Sequence, residues 1–409
     1  MKVYLTNTIE NKTVSVNIPG SKSESNRLLI LKKIYPNIFL HNLSNCDDTF
    51  ALSRGIEAKN GIVDVHHAGT AMRFLTGFFA SKKDIELTLT GSKRMQERPI
   101  KILVDALRLI GADISYVRNN GYPPLKINGK ELVLDSLSID ANISSQYISA
   151  LMLIAPSLHK GLTITLKNKI TSVPYIKMTL ELLNEIGICC TLNNNIIKIT
   201  STKTIKDVTI NIESDWSSAS YYYSLVALSE HLEITLKTFK RDSIQGDSKV
   251  VDLFKKLGVD TIFNETDNAI TLRKNQKKIE NFLSFNLIET PDIAQTIAVT
   301  CFGLGISCEL TGLKTLKIKE TDRLLALKVE LQKLGAELTI TEKSLFLKQS
   351  KTINKNIVID TYEDHRMAMS FAPLYLKVPI IINNPNVVSK SYKTFWKDLQ
   401  KIGGKVLIK

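Results

Sequence analysis

Apolar residues recur at helical spacing in five stretches that end alike. They are Leu107-Arg-Leu-Ile-Gly111, Leu183-Asn-Glu-Ile-Gly187, Phe254-Lys-Lys-Leu-Gly258, Leu331-Gln-Lys-Leu-Gly335 and Leu399-Gln-Lys-Ile-Gly403. The pattern predicts an amphipathic helix closed each time by glycine in the left-handed C-cap position. An alternating, strand-like segment follows, as in Ala112-Asp-Ile-Ser-Tyr-Val117 and Ala336-Glu-Leu-Thr-Ile-Thr341. The interval is about 70 residues, longer than a solenoid repeat. A sixth, degenerate copy reads at Leu52-Ser-Arg-Gly55. The chain is therefore expected to repeat a small α/β module of two helices and several strands about six times.

A chain of 409 residues exceeds what one core usually supports, so two domains of three modules each are expected. The break is placed around Asn211-Ile-Glu-Ser-Asp215, where a strand-like segment over 207–212 gives way to a helix starting near Trp216. Periodicity leaves open whether the N-terminal strand stays with the first half. No linker-like run of Pro, Gly or Ser appears, so any hinge is short.

Composition changes this picture little: 44% of residues are hydrophobic and 23% charged, ordinary for a globular protein. No run approaches the ~18 apolar residues of a membrane span, and the N-terminus lacks a signal-peptide core, so a cytoplasmic protein is expected. Five cysteines, odd in number and without a Cys-x-x-Cys pair, read as reduced thiols. His66 and His67 are adjacent and the other histidines lack zinc-ligand spacing, so no metal is expected. Net charge is more telling. It is +14, from 54 Lys and Arg against 40 Asp and Glu, yet only 11 of the basic residues are Arg. Six of these, Arg27, Arg73, Arg94, Arg98, Arg323 and Arg366, fall in five short segments. Arginine offers a rigid two-pronged fork to carboxylate and phosphate. Lysine elsewhere is scattered, with no aromatic-interleaved stripe of the kind nucleic acid requires.

The five segments are Pro19-Gly-Ser-Lys-Ser-Glu-Ser-Asn-Arg27, Ala68-Gly-Thr-Ala-Met-Arg73, Gly91-Ser-Lys-Arg-Met-Gln-Glu-Arg-Pro99, Lys319-Glu-Thr-Asp-Arg323 and Asp364-His-Arg-Met-Ala-Met369. They lie where helices are predicted to begin, and a helix N-terminus carries unpaired N–H groups and partial positive charge. Several such ends suggest more than one anionic group to be held. Ser144-Ser145-Gln146, Ser172 and Thr290-Pro291-Asp292 also stand at helix starts. Each reads equally well alone as a cap: Ser and Asp are ordinary N-cap residues, and Glu320 beside Asp322 fits a capped start with surface ion pairs. Asp292 has a sharper reading as a general base.

Jointly and in this order, the motifs resemble one family over essentially the whole chain: 5-enolpyruvylshikimate-3-phosphate synthase, a 3-phosphoshikimate 1-carboxyvinyltransferase. The resemblance implies an α/β fold of two domains, each of three βαβαββ units around a pseudo-threefold axis, the enolpyruvyl transferase fold. It implies a discontinuous domain of residues 1–20 and 214–409 and a second of 21–213, with the active site in the cleft between them. It implies transfer of the enolpyruvyl group of phosphoenolpyruvate to the 5-hydroxyl of shikimate 3-phosphate, with no cofactor, no metal and no nucleic-acid or membrane partner, by a monomer.

Carried over motif by motif, shikimate 3-phosphate would meet Lys22, Ser23, Arg27, Ser144, Ser145, Gln146, Ser172, Asp292 and Lys319. Phosphoenolpyruvate would meet Lys22, Gly69, Arg94, Gln146, Arg323, Arg366 and Lys390. Asp292 would accept the hydroxyl proton, and Glu320, with Lys22, would manage the proton at the methylene carbon. Four positions depart from the family pattern: Thr315 in place of Asn, Phe74 in place of Pro, Lys393 in place of Pro and His67 in place of Asn. The related UDP-N-acetylglucosamine enolpyruvyl transferases differ by Lys-Asn near the N-terminus and a reactive loop cysteine. Here Lys22 is followed by Ser23, and no cysteine lies between Cys46 and Cys189.

Overall fold

The computed structural model describes residues 1–7, 12–142, 144–168, 170 and 172–409. The chain divides into two compact units, Gly20–Ile212 and a discontinuous one made of Met1–Pro19 with Glu213–Lys409.

In the unit Gly20–Ile212, two sheets follow one plan. Strands Asn60–Asp64 and Glu86–Thr90 are parallel, and the hairpin Asp113–Tyr116 and Leu125–Asn128 adds antiparallel to the second. Strands Ser136–Asp140, Leu162–Lys167, Cys190–Asn193 and Ile196–Ile199 repeat it. A third sheet keeps only the parallel pair, Val208–Asn211 with Ile38–His41. Parallel neighbours need a crossover, and in the two complete sheets it includes a helix, Gly69–Ala80 in one and Ser145–Ile154 in the other. Helices Gly69–Ala80 and Ser145–Ile154 are buried almost all round and pack on each other and on Lys22–Ile34. A helix apolar on every face belongs inside.

The discontinuous unit has three complete sheets. Lys12–Val16 is parallel to Leu232–Lys237, Phe282–Asn286 to Ser307–Thr311, and Ile357–Ile359 to Ile380–Asn383. In the last sheet the third place is taken by Lys2–Asn7, between Ile380–Asn383 and Gly404–Ile408. Helices Trp216–Leu228, Ala294–Leu304 and His365–Phe371 form the interior. Small hydroxyls let them approach closely: Ser220, Thr296 and Ser370, one from each helix, are linked at 3.1 and 3.2 Å. Thr300 donates to Ser224 at 2.8 Å.

All five predicted C-cap glycines have positive φ, from 84° at Gly187 to 112° at Gly111. The sixth copy differs. Gly55 ends its helix without a left-handed turn, and a β-carbon there would lie 2.8 Å from Leu75 Cδ1. Its glycine serves packing, and its module lacks the hairpin. Two of the helices begin inside the polar motifs themselves, at Lys22 and at His365. Their first turns are made of polar motif residues.

Gly20 lies where the chain enters its unit. A β-carbon there would come 1.8 Å from the Asn42 carbonyl oxygen, while Asn42 Nδ2 donates to the Ile212 carbonyl at 2.9 Å. Backbone blocks the way, so Gly20→Ala must displace the segment that holds Ile212. The expected loss is about 1–3 kcal/mol of unfolding free energy, read by denaturant titration. An unchanged midpoint would show that this junction yields freely.

Candidate active site

Every motif lies just after a strand. A helix that follows a strand starts at that strand's carboxyl end, so within one unit the helix N-termini collect on the same side of the sheets. Each unit thereby gathers one group of side chains.

In the discontinuous unit the centre is Arg323, first residue of the helix Arg323–Lys333 and 2% exposed. Its Nε donates to Asp364 at 2.6 Å, Nη1 to Asp292 at 2.9 Å and Nη2 to Glu320 at 2.8 Å. Burial lowers its pKa, but the carboxylates of Asp364, Glu320 and Asp292 prevail and hold it above its ordinary value. Removing one partner of such a buried array costs about 3–5 kcal/mol, since a charge is left uncompensated. Around it, Lys319 lies 3.4 Å from Asp292, Arg366 3.3 Å from Asp292 and Lys390 3.0 Å from Glu320. Asp364 also caps its own helix by accepting from the Arg366 amide at 2.8 Å. Asp292, Lys319, Glu320, Arg323, Arg366 and Lys390 are thus brought together as one array.

Burial pushes Asp292 upward, but Arg366, Lys319 and Arg323 outweigh it and hold the carboxyl well below the usual range. Burial lowers the Lys319 ammonium. The sequence reading missed Asp247, which is 6% exposed. It accepts from the Ser217 hydroxyl, and Ser217 in turn accepts from Arg366 Nη2 at 3.3 Å. Burial, and then the Asp292 charge, raise Asp247 from 3.8 to about 7. Two neighbouring acids are thereby driven apart, one ionised and one holding a proton. A signal was present: Gly246-Asp247 precedes the helix Val250–Lys256, as an acid at a helix start in the module whose motif went unread.

In the unit Gly20–Ile212, Lys22 is the first helical residue and lies 3.2 Å from Asp48, at the start of the next helix. Arg27 is buried and held by protein. Nε donates to Thr179, Nη1 to the Ser23 carbonyl, and Nη2 to Ser149 and the Tyr175 carbonyl, at 2.8–3.3 Å. Its guanidinium lies 5.4 Å from the Phe74 ring centre, so the aromatic residue that departs from the family pattern packs on a motif arginine. Burial lowers Arg27 to about 10. Gln146 Nε2 donates to Thr70 at 3.3 Å, joining two interior helix starts. Ser144 caps its helix through the Gln146 amide, and Ser145 is buried in the first turn. Ser172 stands at a left-handed φ of 54° and makes no side-chain cap bond, unlike the ordinary cap read from sequence.

Arg94 is half-exposed and pairs with Glu97 at 3.3 Å. Arg98, passed over as a contact, lies against Gly69: a β-carbon there would meet its Nη1 at 2.7 Å. Arg73 is a strut, donating to the Gly69 and Pro99 carbonyls and to Met95 sulfur. Of the other departures, Thr315 Oγ1 is buried without a hydrogen-bond partner. Among the described residues, no group of three His, Cys, Asp or Glu side chains is disposed to hold a metal ion, and no helix is long and apolar enough to cross a membrane.

Residues 40–399 match the family model of EPSP synthase (3-phosphoshikimate 1-carboxyvinyltransferase). A 3-phosphoshikimate 1-carboxyvinyltransferase of Bacteroides fragilis (strain YCH46) is 44% identical over 404 residues, spanning 98% of each chain. One of Shewanella baltica (strain OS185) is 34% identical over 421 aligned residues, spanning 95% of this chain and 96% of that protein. A solved EPSP synthase from Acinetobacter baumannii superposes with a TM-score of 0.79 at 20% identity, covering all of both chains. That likeness bears on the fold.

The proton on Asp247 has a measurable consequence. The folded protein keeps it up to about pH 7, whereas a carboxyl at 3.8 has lost it. Ionisation therefore opposes folding increasingly as pH rises from 3.8 to about 7. Asp247→Asn removes that penalty. The variant is expected to gain about 2–3 kcal/mol more stability at pH 8 than at pH 5. Denaturant unfolding at the two pH values checks this, and an equal effect at both would show that Asp247 is ionised throughout.

Proposed function

The chain belongs to the EPSP synthase (3-phosphoshikimate 1-carboxyvinyltransferase) family, and on that premise we propose how its two side-chain groups divide the reaction. The reaction moves the enolpyruvyl group of phosphoenolpyruvate to the 5-hydroxyl of shikimate 3-phosphate and releases phosphate, a step of the shikimate pathway toward aromatic amino acids. Its proton demands follow from the bonds. The hydroxyl oxygen attacks C2 and loses its proton, and C3 must gain one. When the C–O bond to phosphate breaks, C3 gives a proton back, because the product keeps a methylene. Two groups of different basicity are needed near one substrate pair.

The observation that carries the assignment is the array around Arg323. Asp292 and Glu320 lie on one guanidinium at 2.9 and 2.8 Å, with Lys319, Arg366 and Lys390 within 3.4 Å of one or other acid. In this reading Asp292 takes the hydroxyl proton. The cations that now hold it down are those assigned to substrate anions. Arg366 and Arg323 turning to phosphoenolpyruvate, and Lys319 to shikimate 3-phosphate, would relieve their pull on Asp292 and raise its basicity toward a useful range. Glu320, paired with Lys390 at 3.0 Å, is assigned the C3 proton, with Lys22 as partner across the substrates.

The other unit would supply Lys22, Ser23, Gly69, Arg94, Ser144, Ser145, Gln146 and Ser172 to the two substrates. Arg27 is assigned to shikimate 3-phosphate through the donor capacity its protein bonds leave at Nη1, and it also sets the helix that presents Lys22 and Ser23. The domain boundaries put one group in each unit. The reading takes the chain as a cytoplasmic monomer.

Phosphate release from phosphoenolpyruvate is expected to require shikimate 3-phosphate, and Asp292→Asn is expected to lower turnover about 10²–10⁴-fold while calorimetry still records shikimate 3-phosphate binding. Arg366→Ala is expected to weaken phosphoenolpyruvate by about 1.5–3 kcal/mol. Turnover of Asp292→Asn within a few-fold of the parent would reduce that residue to a cap.

A further inference from the structure

Two consecutive residues just before the Asp364-His365-Arg366 segment stand in the left-handed region: Tyr362 at φ 52° and Glu363 at φ 55°. The Asp364 amide donates to the Thr361 carbonyl at 2.8 Å, so residues 361–364 form a tight turn with positive φ at both central positions. Such turns are normally built from Gly, Asn or Asp, because a β-carbon resists this conformation. Here a tyrosine and a glutamate adopt it, so the surroundings must enforce it.

The enforcing group is Glu330, fully buried on the helix Arg323–Lys333. Its Oε1 accepts from the Tyr362 hydroxyl at 2.6 Å and its Oε2 from the Asp360 amide at 3.1 Å. Lys333 compensates the charge, donating to both oxygens at 2.8 and 2.9 Å and to Asp360 at 2.8 Å. Seven positions earlier, about two helical turns and on the same face, Arg323 grips Asp364 at 2.6 Å. One helix therefore holds the turn at both ends. What leaves the turn is Asp364, which binds Arg323 and caps the helix that presents Arg366.

We propose that Glu330 is a positioning residue for phosphoenolpyruvate: it fixes the strained turn 361–364 and through it the placement of Arg366 and Arg323. Glu330 is fully buried and is assigned no substrate contact. The inference rests on the assignment of those two arginines to phosphoenolpyruvate.

The test separates the two claims. Glu330→Gln keeps the shape but cannot accept at both oxygens, and is expected to raise KM for phosphoenolpyruvate about tenfold or more, with KM for shikimate 3-phosphate within about twofold. Adding Glu363→Gly, which removes the resisting β-carbon, is expected to recover at least about threefold of that loss, while Glu363→Gly alone stays within about twofold of the parent. A merely structural defect would not be repaired by a glycine at the turn. Tyr362→Phe should shift KM for phosphoenolpyruvate in the same direction by a smaller factor, and it carries the test if Glu330→Gln fails to fold. Arg366→Ala is measured alongside. If it leaves phosphoenolpyruvate unaffected, the arginine assignment falls. If it weakens phosphoenolpyruvate while Glu330→Gln or Tyr362→Phe does not, or if glycine gives no rescue, the role of Glu330 falls.

Discussion

The parallel strand pair present in every sheet is the constraint from which the rest of this molecule follows. A parallel pair cannot be closed by a turn; in four of the six sheets a helix intervenes directly, beginning where the first strand has just ended. Repeated within each unit, the rule brings helix starts to one side of the sheets. Chemistry is then placed by topology: Ser145 and Gln146, Gly69 and Lys22 in one unit, and Asp292, Arg366 and Ser217 in the other, all belong to first turns or their flanks. The second helix of each module adds its own start, which is how Arg323, Asp247 and Asp48 come to lie beside residues distant in sequence.

Collecting positive helix ends and basic side chains in one place would be unfavourable without interleaved acids. The array answers this by alternation: Lys390, Glu320, Arg323, Asp292 and Arg366 follow one another at 2.8–3.3 Å. An ordered network of this kind is weak support for global stability, because desolvation offsets most of the attraction. Its value is orientation. Below it, the interior helices touch through serine and threonine hydroxyls, which set close approach and register where larger side chains would hold them apart.

Much of this was legible in the sequence because the repeat is written in glycines. Gly111, Gly187, Gly258, Gly335 and Gly403 all have the positive φ that made them visible as helix ends. Gly55 matched the same pattern for a different reason, close packing on Leu75, which periodicity cannot distinguish. Among site residues, charge at helix starts pointed to Asp292, Glu320, Arg323 and Arg366, which do converge in one unit. Arg27 followed the same logic, yet most of its donors face Thr179, Ser149 and backbone carbonyls. A sequence shows that an arginine follows a helix cap, but not which way its fork turns. Asp247 and Glu330 escaped because neither stands in an arginine-rich segment; each matters through a partner brought near only by folding.

The sheet that joins the ends of the chain imposes an order on biogenesis. Lys2–Asn7 lies between Ile380–Asn383 and Gly404–Ile408, and the Lys2 and Lys409 backbones exchange hydrogen bonds at 2.7 and 2.9 Å. As the ribosome emits the chain, Lys2–Asn7 has no native partner until residues 380–383 have been made. The unit Gly20–Ile212 is continuous and can close while synthesis proceeds. In the other unit Lys12–Val16 gains its partner once Leu232–Lys237 is made, while Lys2–Asn7 waits for residues 380–383. A nascent chain of this protein thus carries Lys2–Asn7 as an unpaired β edge for most of its time on the ribosome, an edge that is covered on both sides in the finished sheet.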